Sequence, residues 1–182
     1  MPVSPRTEFN NGEAAMTDAK IKATQEANKV ALTANPAGGI ATAVLEATIG
    51  EGLACDVSDG TNATLIDMPE TFGGTGQGPT PGFHARAAVA ACVAIGIKAT
   101  AIREGLRFDE VKVRVEMDFD DGALYGLGEN TAAPFFTRLV VDLKTKHSEV
   151  EVAPVIDLAL ETDPFFLALR DPQQVETDIR II

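Results

Sequence analysis

The sequence predicts an α+β fold, an antiparallel sheet with a central buried helix. Three observations point to it. The run Ala85–Ile97 is apolar nearly all round, which suits a helix inside the protein or between layers or subunits. Val111, Val113, Val115, Met117 and Phe119 alternate with Lys112, Arg114, Glu116 and Asp118, the period of a strand with one buried face. The strand candidates also cluster instead of alternating one-for-one with helices, which argues against a doubly wound sheet.

Taken in chain order, residues 1–12 read as a loose leader. From Glu13 to Leu32, Met16, Ala19, Ala23, Ala27 and Val30 recur at helical spacing and form a small, weakly apolar stripe, so a peripheral helix is expected. Asn35-Pro36-Ala37-Gly38-Gly39 ends it. Strands are expected at Ile40–Thr48, Gly52–Val57 and Ala63–Met68, with Gly50-Glu51-Gly52 and Asp59-Gly60 as turns, which makes a β-meander. The Gly/Pro-rich loop Pro69–Pro81 follows. It leads into the long helix Gly82–Glu104, which Gly105 stops. After Val111–Phe119, a turn-rich stretch to Pro134 leads to a strand at Phe136–Thr145. Helices are expected at Pro154–Glu161, with Pro154 in the first turn, and at Phe165–Leu169, opened by Asp163-Pro164. Val175, Thr177, Ile179 and Ile181 alternate with charged residues and predict a final strand. The chain thus divides into a leader with peripheral helix, 1–33, and one domain, 34–182.

A chain of 182 residues can bury enough surface to fold without a metal or disulfide. It has 27 acidic and 15 basic residues, a net charge of -12, which argues against binding nucleic acid or an anionic membrane. No run approaches the roughly 20 apolar residues of a membrane span, and the N-terminus has no apolar signal core, so the cytosol is expected. Two cysteines, Cys55 and Cys92, and two histidines, His84 and His147, make no convincing zinc site. Neither a metal nor a cofactor is expected.

Several motifs invite chemistry and have plainer readings. The loop Gly73–Pro81 lacks the Gly-Lys-Ser/Thr ending of a P-loop and any nearby base, so it reads as structural. Asp118-Phe119-Asp120-Asp121-Gly122 misplaces the acids of a calcium loop and reads as a strand end with a turn. His84 stands near the start of the long helix, where it could border a pocket. Eight residues, roughly 12 Å of helix axis, separate it from Cys92. His147 reads as exposed and Cys55 as a small strand hydrophobe. A mid-helix cysteine such as Cys92 is ordinarily inert, because apolar surroundings raise a thiol's pKa.

The spacing around Cys92 changes that weight. Gly78-Pro79-Thr80-Pro81, the alanine-rich helix, and a Cys eleven residues after Pro81 resemble the OsmC/Ohr family of thiol-dependent hydroperoxide reductases. The likeness includes Asp67-Met68-Pro69, Gly73-Gly74 and Glu104-Gly105-Leu106, and it extends from about Ala34 to Ile182. It implies an intertwined homodimer in which two central helices are sandwiched by sheets from both chains, with the reactive Cys at the interface. It also implies a mechanism in which the thiolate attacks a peroxide, an Arg stabilises the thiolate, a Glu orients the Arg, and a second Cys closes a disulfide. Only Cys92 maps. The Glu position is Gly82, the resolving Cys-Pro is Asp163-Pro164, and no Lys or Arg occurs from Val30 through Ala85. Asp163 beside Cys92 would raise the thiol pKa. Arg86 is a poor in-chain substitute for the Arg, although a partner's Arg86 would lie closer. The expectation is an oxidative-stress protein with weak or absent organic hydroperoxide reductase activity. Cys92 would be its nucleophile, and an external thiol or Cys55 its resolving group. Phe72, Phe83, Phe165 and Phe166 would line the pocket, with His84 and Asp163 beside it. The alternative is a non-catalytic dimer that binds a small apolar or thiol ligand at the subunit interface.

Overall fold

The computed structural model describes residues 16–181. The leader and the expected helical start Glu13–Ala15 lie outside the described residues. Helix α1, Asp18–Ala34, is capped by Thr17, whose hydroxyl accepts the Lys20 N–H at 3.3 Å. None of its residues is buried. It is tied to the next helix by a Lys98–Asp18 ion pair at 3.4 Å and an Arg103–Gln25 hydrogen bond at 3.2 Å, so it is peripheral as the weak stripe predicts.

Strands β1 (Glu46–Ile49), β2 (Cys55–Ser58) and β3 (Ala63–Ile66) form the expected antiparallel meander. They are shorter than predicted. Residues 40–45 find no strand to pair with and remain exposed coil. Only Val57 of this sheet is buried.

Helix α2, Pro81–Glu104, starts at the Thr80 cap, with Pro81 pre-set for the first turn. It stops at Gly105, whose φ of +80° suits glycine and lets Leu106 N–H reach the Ala101 carbonyl at 2.8 Å. By length and composition α2 would pass for a membrane span, contrary to the expectation from the sequence. One face of it serves a core. Val89, Val93, Ile97 and Ala101 pack with Phe108, Val155 and Ala159. This core lies between the hairpin of β4 (Phe108–Asp118) and β5 (Phe136–Thr145) and helix α3 (Glu149–Glu161).

Two expectations need correction. Helix α3 begins at Glu149 rather than Pro154 because Ser148 and Glu151 form a capping box, with Ser148 N–H donating to Glu151 at 2.9 Å. Pro154 therefore sits inside the helix, where the carbonyl that loses its partner belongs to exposed Val150. Second, residues 172–181 form no strand. Their alternation finds no sheet edge within the chain, and Val175 and Ile179 stand in solvent. The short helix α4, Pro164–Arg170, follows Asp163 as expected.

Candidate functional site

Helix α2 presents Cys92 and, one turn later, Gly96 on the same face. The N-terminus of α4 is laid against that face. Asp163 caps α4: its Oδ1 accepts the N–H of Phe165 at 3.1 Å and of Phe166 at 2.8 Å. The residue is only 3% exposed, and its second oxygen, Oδ2, is buried without a hydrogen-bond partner. A methyl group placed on Gly96 would stand 3.3 Å from that oxygen, so the glycine is what allows the carboxylate to approach the helix.

Cys92 is a half-buried free thiol. Burial pushes its pKa up, and the Asp163 carboxylate, as hydrogen-bond acceptor and as negative charge, pushes it further. The Phe165 N–H opposes this weakly. No bond of standard geometry joins the thiol to Oδ2, which leaves that oxygen unsaturated. Among the described residues no cation offsets the carboxylate. The guanidinium of Arg86 lies by Gly82, where an added Cβ would meet Nη1 at 3.3 Å. It is thus turned toward the helix start, away from Cys92.

The loop before α2 is built around Asp67, which is 1% exposed. Its Oδ2 accepts Thr75 Oγ1 at 2.7 Å, Thr75 N–H at 3.1 Å and Gln77 N–H at 3.0 Å, while Oδ1 accepts Met68 N–H at 2.7 Å. These donors, led by the Thr75 hydroxyl, hold the carboxyl at about 2. Gly74 and Gly78 lie so close to the Met68 and Leu65 carbonyls that any Cβ would collide. The N–H groups of residues 73–77 that a phosphate would need are already taken, by this carboxylate at Thr75 and Gln77 and by backbone carbonyls at Gly73, Gly74 and Gly76, which supports the structural reading.

The OsmC-like protein family matches residues 74–178, more than half of the chain. The chain belongs to the OsmC-like protein family. Among solved structures it is similar to the OsmC-like protein from Mycoplasma pneumoniae, with a TM-score of 0.61 and 16% identity over 71% of this chain and 88% of that one. A putative osmotic stress induced and detoxification response protein from Psychrobacter arcticus gives a TM-score of 0.54 at 12% identity, covering 70% and 88%. An organic hydroperoxide resistance protein from Legionella pneumophila gives 0.50 at 23% identity, covering 72% and 91%. At these identities the likeness is one of fold. No curated protein matches the sequence.

In this OsmC-like chain the structure brings together Cys92, Asp163 and the backbone of Phe165. Phe166 joins them through its N–H on Asp163. Phe83 is half-exposed and stands edge-on to His84, with ring centroids 5.6 Å apart. His84 Nε2 is buried without a partner, and neither residue bonds to Cys92 or Asp163. The Phe165 ring is half-exposed, while Phe166 packs against the core with the Arg170 guanidinium 5.7 Å from its ring centre. Phe166 also lines a cavity of about 390 Å³ with Phe135, Phe136 and Leu139, a lining that does not include Cys92. Cys55 lies on β2, opposite Ile49 and Ile66. His147 is less exposed than expected: its Nε2 accepts the Arg107 N–H at 3.2 Å, and its Nδ1 stands 3.5 Å from Glu151.

Asp120 caps a turn by accepting Gly122 N–H at 2.9 Å and Asn130 Nδ2 at 2.7 Å, so the acidic run is a turn. Among the described residues no group of three His, Cys, Asp or Glu side chains could hold a metal. The loop organiser that motif reasoning misses is Asp67. Besides the adjacent Met68, its donors lie eight and ten residues away, and nothing in the local pattern marks them.

Proposed function

We propose that this OsmC-like protein is a slow, one-cysteine organic hydroperoxide reductase that works as a homodimer with an external thiol. The observation behind this reading is the Cys92 environment, a half-exposed thiol at the helix position the family resemblance assigns, facing a carboxylate and, among the described residues, no cation. The chemistry is balanced without other groups. The Cys92 sulfur attacks a peroxide oxygen, the S–O bond forms as the O–O bond breaks, and an alcohol leaves. An external thiol then displaces water to give a mixed disulfide, and a second thiol releases Cys92 and the external disulfide. A free thiol with pKa near 8.5 is only a few per cent thiolate at pH 7. A pKa raised above that lowers the thiolate fraction further, so turnover is slow. The cytosol would supply the reducing thiol.

The dimer reading is supported by surface that one chain leaves open. The meander buries little, and α2 exposes Phe83 and Ile95 along its length. The second reading is a non-catalytic dimer that binds a small apolar or thiol ligand at its interface. The unpartnered Asp163 oxygen beside a protonated thiol favours it. Consumption of cumene hydroperoxide under excess dithiothreitol separates the two. The reductase reading expects modest turnover that disappears in Cys92→Ser. Equal rates for wild type, the variant and dithiothreitol alone would support the binding reading.

A further inference from the structure

The geometry points to a second consequence of Asp163: we infer that Cys92 is a site of persistent sulfenic acid modification, with Asp163 as the group that retains it. The inference rests on the reading of Cys92 as the thiol that meets hydroperoxide. Asp163 is 3% exposed and has one oxygen fully used by the Phe165 and Phe166 N–H groups. The other oxygen is buried, has no donor, and lies over Gly96, one helical turn from Cys92. A thiol S–H is a weak donor and leaves that oxygen poorly satisfied.

Oxidation supplies the missing donor. In the reaction with an organic hydroperoxide, the sulfur gives up two electrons as the S–O bond forms and the O–O bond breaks. The other peroxide oxygen leaves as an alcohol that carries the former thiol proton. The product Cys92–S–O–H has a full O–H donor one atom beyond the sulfur. Donated to Asp163 Oδ2, it makes a charge-assisted bond of the short, strong kind. The usual exit from this state is attack by a second thiol with loss of water. The residue facing Cys92 from α4 is a carboxylate, which forms no disulfide. Cys55 belongs to the other sheet, on β2. Hydrogen bonding to a carboxylate also holds the sulfenic group in its protonated form, a poorer nucleophile toward a second peroxide. Asp163 thus slows formation of the modification and prolongs it once formed.

The test uses the full chain carrying Cys55→Ser, oxidised with one equivalent of cumene hydroperoxide and freed of excess oxidant. A dimedone trap added at intervals, with intact mass as readout, gives the rate of formation and the lifetime of the sulfenic acid. Asp163→Asn and Asp163→Ser both remove the charge and retain a residue that caps helices well. The inference expects each variant to form the sulfenic acid several-fold faster and to lose it at least tenfold faster than the parent. A general loosening of the fold would also speed both steps, so the comparison is made on variants whose thermal unfolding matches that of the parent. Labelling of Cys92 with the same lifetime in parent and variants overturns this inference and leaves the reductase reading standing. If Cys92 is not labelled in any of the three proteins, both fall.

Discussion

Asp67 and Asp163 are both buried carboxylates, one in the loop after β3 and one at the cap of α4, and they are built to opposite ends. Asp67 accepts hydrogen bonds from Met68, Thr75 and Gln77 on both oxygens, and its pKa falls to about 2. Asp163 satisfies one oxygen at the α4 cap and leaves the other bare against α2. The saturated acid fixes a loop, and the half-saturated acid sets the chemistry of a thiol. A buried polar group costs stability when it lacks a partner. The bare oxygen of Asp163, unlike the equally unpartnered His84 Nε2, stands beside the thiol.

The largest effect is expected from breaking the saturated acid. Asp67→Ala strips the loop N–H groups of their acceptor and should lower Tm more than any substitution at Asp163 or Gly96, with little change in Cys92 reactivity in the molecules that remain folded. Calorimetry alongside thiol titration would check both halves. Asp163→Asn should do the reverse. Loss of the charge should speed Cys92 alkylation at pH 7 several-fold, because Asp163 is one of the causes that raise the thiol's pKa, while Asn retains the cap and Tm changes little.

Acid should separate the two carboxylates further. The Asp67 pKa is lower in the folded chain than its unfolded value of 3.8, so unfolding takes up protons at low pH. Its stabilisation is present above about pH 4 and is lost as pH falls toward 2. Chemical denaturation between pH 5 and 2 should show that loss in the wild type and a flatter dependence in Asp67→Asn. The smallest effect is expected for Gly96→Ala. The added methyl presses on Asp163 Oδ2 at 3.3 Å and should shift Cys92 alkylation by only a few-fold.

Much of the fold is legible in the sequence because its signals are local. The Phe136–Thr145 strand coincides with β5, and α2 starts within one residue of the expected position, at Pro81 behind its Thr80 cap. The start of α3 is misplaced when Pro154 is given more weight than the Ser148/Glu151 capping box. Val175–Ile181 has a strand's alternation and no edge to join within one chain. At the site, Cys92 and Asp163 come from the family resemblance, and the structure places the carboxylate beside the thiol. The bare oxygen of Asp163, the closeness allowed by Gly96 and the hub at Asp67 depend on contacts across many residues, which no spacing rule encodes.

Burial and the Asp163 carboxylate together favour the protonated form of Cys92. The most direct test is the pH dependence of iodoacetamide alkylation of Cys92 in a Cys55→Ser background. The account predicts a midpoint above the roughly 8.5 of a free cysteine, moving down in Asp163→Asn. A midpoint below that of free cysteine would contradict it, because burial and the Asp163 carboxylate both act to raise the pKa.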